Sequence, residues 1–383
     1  MHEELALKAE VLTAISDITA LDWDTCSGSN PFLKHAFLLA LEQSGSATSE
    51  TGWHPLHIKL TNTKTGQAVG FMPLYVKSHS YGEYVFDHAW ANAFENAGGQ
   101  YYPKLQSCVP FTPVTGSRLL VAPNAPPGTA RMLLQSAKTL VNQQQFSSLH
   151  ITFATQGEAE IAREQGLLIR ADQQFHWQND NYECFDDFLE QLSSRKRKQI
   201  KKERRVALES GVNIQTLEGT DIQLHHWDAF FAFYLDTSTK KWGQPYLNRQ
   251  FFNLIGSSMS QDIVMVMCEH KGRFVAGALN FKSDKTLYGR YWGCLEELPC
   301  LHFEACYYQA IDYAIKNKLK TVEAGAQGPH KLARGYVPTL TYSAHWIENP
   351  GFRNAIAQFL EHERQNVDAE IEYLSERTPF KTQ

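Results

Sequence analysis

The segment EAGAQGPHKLARGY, residues 323–336, gathers an acid, a base and two cations around three glycines. Glu323, His330, Lys331 and Arg334 lie beside Gly325, Gly328 and Gly335, where a backbone can turn sharply or come close to a ligand. Titratable groups collected after a strand suit proton transfer and the holding of anions. Glu323 or His330 would take a proton from an attacking amine, and Lys331 and Arg334 would hold substrate anions. The plainer alternative is a surface loop with ordinary charges. A P-loop is excluded, because GxxxxGK[ST] is absent.

A second cluster lies in FDHAWANAFENAGGQYYPKLQ, residues 86–106. Asp87 and His88 at the end of a predicted strand offer a base, while Tyr102 and Lys104 offer a hydroxyl and a cation for substrate. A buried Asp and His can equally serve only to bond the loop backbone. The third signal is RKRKQIKKERR, residues 195–205, with eight Lys or Arg against Glu203. Such a run is either a solvated face or an anion site, and Arg195, Lys196, Arg197, Lys198, Lys201 and Lys202 are the candidates to meet a phosphate-bearing donor. In YGRYWG, Arg290 and Trp292, together with Tyr291 and with Trp242 elsewhere, would line a substrate cleft or belong to the core. His302 and Glu304 open the next helix. The loop before it, GCLEELPC, is acidic and poor in glycine, which opposes coenzyme A pyrophosphate there.

The elements that must position these groups follow from periodicity. NPFLKHAFLLALEQSG predicts a helix over 31–44, with Asn30 as its N-cap and Pro31 just inside. PLHIKLTN and QAVGFMPLYVKS predict a hairpin across TKTG, and EYVFDHAW a third strand. An irregular stretch over 91–117 precedes strand SRLLVAP, helix GTARMLLQSAKTLVNQQ and strand SLHITFA. A short helix near 158–164 and a strand near 167–178 close the first half. A basic helix over 185–210 opens the second. Strand VNIQTLEG, two helices, the meander IVMVMCEH, RFVAGALNFKSD and TLYGRYWG, helix HFEACYYQAIDYAIKNK and strand KTVEAG complete it.

The length of 383 residues predicts two domains, 1–180 and 181–383. With 43% hydrophobic and 20% charged residues the chain can bury a sizeable core. The net charge of -5 makes bulk nucleic-acid binding by the whole surface unexpected. The start lacks a basic region followed by an apolar run, and no long apolar stretch occurs, so a cytoplasmic protein without an integral membrane segment is expected. The seven cysteines are scattered without a CxxC pair, which suggests neither a disulfide framework nor a metal site.

These strings together resemble the FemAB-like, peptidoglycan-associated branch of the GNAT superfamily of N-acyltransferases. The resemblance rests on NPFLKHAFLLALEQSG, FDHAWANAFENAGGQYYPKLQSCVPFTPVTG, the basic helix, YGRYWG, and GAQGPHKLARGY followed by TYSAHWI. It implies an α+β fold of tandem GNAT-like domains, each a mixed, mostly antiparallel sheet flanked by helices, with a cleft between them. It also implies transfer of an acyl or aminoacyl group to the amine of a small molecule or peptide. The donor would be aminoacyl-tRNA, as in Fem-type enzymes, or acyl-CoA, with no other cofactor. A non-catalytic module recognising RNA or a cell-wall precursor is the alternative. Pro329 stands where the family pattern GAQGEHK has an acid; if that acid is the family's general base, this chain is impaired or uses Glu323 or His330 instead.

Overall fold

The computed structural model describes residues 6–242, 244–325 and 328–381, without the side chains of Lys241, Trp242 and Pro329. The chain divides into two units, 1–172 with 340–368 and 173–339 with 369–383. A division at residue 180 would therefore leave the returning segment 340–368 in the wrong half.

In the first unit, β1 (Leu7–Leu12) precedes α1 (Ala20–Ser27), α2 (His35–Gln43), β2 (Trp53–Pro55), β3 (His57–Asn62), β4 (Ala68–Met72) and β5 (Tyr75–Lys77). Then come α3 (His88–Asn96), β6 (Lys104–Ser107), β7 (Leu120–Val121), α4 (Thr129–Gln143), β8 (Ser148–Ala154), α5 (Gln156–Glu164) and β9 (Leu168–Gln178), whose residues from Gln173 on belong to the second unit. The second unit holds α6 (Phe185–Gln191), α7 (Ser194–Glu209), β10 (Val212–Glu218), α8 (Leu224–Trp242), α9 (Arg249–Ser258), β11 (Ile263–His270), β12 (Arg273–Lys282) and β13 (Thr286–Cys294). A single helical run follows, α10 (Leu301–Phe303), a π turn (Glu304–Tyr308) and α11 (Gln309–Lys316), before β14 (Thr321–Glu323). After a 3-10 turn (Pro329–Arg334), β15 (Val337–Ile347) and α12 (Pro350–Ser375) carry the chain towards its end.

The first unit contains the small sheet β1-β3-β4-β7 and the strand series β15-β8-β6-β5-β2. The expected hairpin is present, with β3 and β4 antiparallel. QAVGFMPLYVKS is split, however: Pro73 cannot donate to a ladder, and β4 and β5 join different sheets. Strands alternate their faces. Leu105, Leu149, Ile151 and Ala344 point into an apolar core with Leu133, Leu134 and Ala137 of α4. The opposite face is polar, carrying Lys77, Lys104, Gln106, His150 and His345, all buried. In the second unit the order is β10-β11-β12-β13-β14-β9, antiparallel except for β13 with β14. Its core packs Leu287, Val322 and Trp177 against Tyr307, Tyr308 and Ile311.

Three expectations differ from the structure. The helix predicted over 31–44 breaks at Lys34, which is extended. Asn30 does cap, its side chain accepting from Phe32 N, but Asp24 captures His35 N and starts α2 afresh. EYVFDHAW is no strand; it ends in α3, because Asp87 is drawn inward by Lys104. The helix over 185–210 is two helices. Leu192 is fully buried and bridges Phe380, while Ser193 N donates to Pro379 O, so the chain must be extended there. Strand β1 and helix α12 went unread in the sequence.

Candidate active site

In the second unit β13 and β14 pair for three residues only, ending at Tyr288 with Glu323. Beyond that rung β13 continues to Cys294 against β12 alone among the described residues. The ladder to β12 slips at Leu279 and Asn280, where Arg290 is the extra residue of a bulge. A bulge of this kind re-aims side chains and bends its strand. A cleft of about 390 Å³ opens where the strands part. Its strand wall is Ala278, Asn280, Gly289 to Trp292 and Ala324, and its helix wall is His302, Cys306 and Tyr307. A Cβ on Gly289 would stand 3.3 Å from Glu323 O and 3.4 Å from Asn280 Oδ1, so a larger residue would close the wedge. The helix wall contains the π turn, an irregularity frequent at functional sites.

Val322 faces the helix core, so alternation places Glu323 on the other sheet face, beside its strand partners Tyr288 and His176. Its Oε2 is shielded from solvent and has no hydrogen-bond partner among the described residues. Burial raises the carboxyl to about 8. Burial and the nearby Lys331 lower His176 to about 4. Tyr307 Oη meets His330 Nε2 at 2.8 Å. Burial, then Arg334 and Lys331, lower His330, so its ring is neutral at pH 7, and burial raises Tyr307, which keeps its proton. Gly328, at φ 134°, leaves room for this histidine: a Cβ there would lie 2.7 Å from the His330 ring.

The loop cations are turned inward, onto partners within the chain. Lys331 is 1% exposed and donates to Gly325 O at 2.9 Å; burial lowers it to about 8. Arg334 is equally enclosed. It forks onto Glu203 at 3.0 and 2.9 Å and stacks 3.4 Å from the Phe303 ring centre. Both position the 3-10 turn that carries His330. Glu304 is likewise structural, fully buried and held by Arg204 at 3.0 Å and Gln309 at 2.8 Å. Of the expected residues, Arg290, Trp292 and His302 line the cleft. Trp242 and Pro329 have side chains outside the described residues, as do Ala326 and Gln327 entirely.

The basic helix α7 is two-faced. Arg204 and Glu203 point inward to Glu304, Asp312 and Arg334. Arg195, Lys198, Lys201 and Lys202 are exposed and Lys196 and Arg197 half-buried, with Lys201 on Asp186 at 3.0 Å. Glu203, which the sequence shows only as an interruption of a cationic run, is the anchor of that helix on the His330 turn. Its isolation among eight cations was the available signal. Gly289 and Tyr307 also carried little signal, one as a strand glycine and the other as part of an apolar helix face.

In the first unit, Asp87, Lys104 and Tyr102 do come together. Lys104 Nζ donates to Ser80 Oγ and Glu83 Oε2, each at 2.8 Å, and to Asp87 Oδ2. Tyr102 Oη meets that serine at 2.8 Å, and Tyr101 Oη donates to Asp87 at 2.7 Å. Burial disfavours the Asp87 charge, but Lys104 outweighs it and holds the carboxyl well below its usual range. A carboxylate held this firmly by Lys104 is a weak proton acceptor. His88 is exposed and takes no part; its ring lies beside Phe86 and Tyr81. Two histidines are buried on this sheet face, His150 and His345, joined through their Nδ1 atoms at 2.7 Å.

Residues 14–382 match the model of the FemAB-like family, described as peptidoglycan biosynthesis/recognition. Among solved structures, FemX is similar with 13% identity over 91% of this chain and 100% of its own, at a TM-score of 0.54. The C-terminal domain of a putative lysylphosphatidylglycerol synthetase from Agrobacterium fabrum has 8% identity, 90% and 94% coverage and a TM-score of 0.52. L-PGS from Bacillus licheniformis has 9%, 88% and 99%, and 0.51. At such identities the likeness is one of fold. No curated protein matches the chain.

Proposed function

We propose that this chain, which belongs to the FemAB-like family, is a transferase that passes an acyl or aminoacyl group to a substrate amine in the cleft of its second unit. The observation that carries this reading is the parting of β13 from β14 directly after the Tyr288 and Glu323 rung. It leaves a strand edge without a partner strand and a carboxyl poised near neutrality at the rung where the gap begins.

Transfer needs three things of the protein: a proton acceptor for the amine, donors for the carbonyl oxygen, and a proton for the leaving oxygen or sulfur. Glu323 stands at the rung where the strands part but on the sheet face away from the helix wall, so as carboxylate it takes the proton of an amine that reaches it through the gap between β13 and β14 as nitrogen attacks the carbonyl carbon. Backbone amides along the strand wall of the cleft are the proposed donors for the tetrahedral oxyanion. When His330 holds its proton on Nε2, it donates to Tyr307 Oη and turns the phenolic proton towards the cleft, where it can pass to the leaving group. The amine attacks directly and no enzyme-bound acyl group forms.

The outward cations of α7 favour a phosphate-bearing donor, and the acidic loop ahead of α10 favours aminoacyl-tRNA over coenzyme A. Glu296 in that loop is bound to His270 at 3.0 Å, so its carboxylate is held at the approach to the helix. Peptidoglycan-precursor peptides are the acceptor class that fits the family. The test presents the full chain with aminoacyl-tRNA or acyl-CoA and a peptide amine, and follows amide formation by mass spectrometry. Amide formed by wild type and lost in Glu323→Gln supports the reading. Transfer from acyl-CoA alone would replace the donor assignment, and no amide from either donor would sink the proposal.

A further inference from the structure

The strand wall of the cleft in the second unit carries a side-chain oxygen that the transfer chemistry leaves unused. On β12, Ala278 packs with Leu301 and Ala305, and alternation turns Asn280 to the same helix side of the sheet. Asn280 is 1% exposed, yet it lines the cleft. Its amide is held in one orientation: Nδ2 donates at 3.1 Å to Val264 O, on the strand residue paired with it in β11. The NH2 end is therefore spent, and Oδ1 is the atom turned towards β13. That oxygen accepts no hydrogen bond among the described residues.

Across β12 and β13 the partner of Asn280 is Gly289. A Cβ at that position would come within 3.4 Å of Asn280 Oδ1 and 3.3 Å of Glu323 O, so any side chain there would cover the amide oxygen. The glycine keeps Oδ1 open at the wedge where β13 and β14 part. Asn280 on one sheet face and Glu323 on the other thus flank the gap through which an amine passes. A carboxamide oxygen is a neutral acceptor: it takes an N-H or O-H and offers nothing to a carbonyl or a phosphate.

We propose that Asn280 determines the specificity of transfer, its Oδ1 accepting the N-H that a primary amine keeps while Glu323 takes the other, so that the cleft selects primary over N-alkylated amines. This assignment rests on the transferase reading of the same cleft. The nitrogen lone pair forms the new C-N bond, the carbonyl pair moves to oxygen, one amine proton goes to Glu323, and the bond to the leaving oxygen or sulfur then breaks. The second N-H survives in the amide product, so it can stay on Oδ1 from attack to release. An N-methyl amine has no such second hydrogen. It would set a methyl group against an acceptor left without a donor, which is how hydrogen-bonding sites reject analogues.

The full chain is given a peptide whose only amine is primary, or the same peptide methylated on that nitrogen, with aminoacyl-tRNA or acyl-CoA as donor at pH 7. The ratio of the two kcat/KM values for amide formation is compared between variants. Wild type should prefer the primary amine, and in Asn280→Leu the preference should fall about tenfold or more, chiefly through slower transfer to the primary amine. Steric exclusion of the methyl group would survive that change, so the fall, not the preference itself, is the test. Asn280→Asp should keep the preference, because a buried neutral carboxyl can donate to Val264 O and still present an oxygen to the wedge. Leucine leaves Val264 O without this donor, so urea unfolding checks each variant, and Asn280→Ala replaces a leucine variant that does not fold. A ratio unchanged in the folded leucine or alanine variant, or lost equally in the aspartate variant, overturns this assignment and leaves the transferase reading standing. No amide from wild type with either donor sinks that reading and this one with it.

Discussion

Replacing Glu323 by Gln should make the protein slower and, in alkali, more stable. The wild-type carboxyl is raised from the usual 4.5 to about 8, so the folded state holds this proton more tightly than the unfolded chain does. The sign follows: stability contributed by the neutral carboxyl is present below about 4.5 and is lost as pH rises towards 8. The loss amounts to about 5 kcal/mol at most, an upper limit because the residue retains some solvent contact. Glutamine cannot ionise, so E323Q should match wild type near pH 4 and exceed it above pH 8 in urea unfolding. Activity should move the other way. Ionised Glu323 rises from about one hundredth of molecules at pH 6 to about half at pH 8, so kcat should climb about fiftyfold over that span. The acceptor amine also loses a proton, so two saturating acceptors of different basicity are compared. A limb near pH 8 common to both, and absent in E323Q, belongs to the protein. A limb that follows the amine, or a variant as active as wild type, refutes the base assignment; a variant less stable than wild type at pH 9 refutes the buried, unpartnered carboxyl.

Gly289→Leu should fill the wedge between β13 and β14, abolishing donor-induced thermal protection at a stability cost of about 1 to 3 kcal/mol in urea unfolding. Arg334→Ala should cost about 3 to 5 kcal/mol by the same measure, because it strands Glu203 in a nearly closed site, and Glu203→Gln in that background should recover part of the loss. Replacing Lys196, Lys198 and Lys202 together by Gln should weaken tRNA binding and flatten its dependence on salt by about two to three counterions, with an unchanged melting temperature.

The regular elements were legible where one physical rule acted alone. The meander β11 to β13, the amphipathic α4 and the strand β8 follow from β-rich runs or helical spacing bounded by turn signals. The rule failed where a second surface intervened. Val85 and Phe86 look like strand residues, but they belong to the cover over a polar sheet face, and what places them is Lys104 drawing in Asp87 from seventeen residues away. A single sequence cannot show that the lysine in YYPKLQ will be buried, since burial of a charge depends on partners brought by the fold. The same reasoning divides the site. The glycines, His330 and Glu323 could be recognised by residue type, but the roles of Lys331 and Arg334 could not, because cations near a loop look alike whether they wait for an anion or already hold one. In α7 one residue divides the helix. Glu203 costs the run a single charge, yet it binds Arg334 and Tyr308 and so pins the inner edge of the helix. On the outer edge Lys201 is paired with Asp186 and Arg205 with Glu209, while Arg195, Lys198 and Lys202 stand exposed, so that face keeps a surplus of positive charge, and periodicity alone could not show which cations the fold itself would take up.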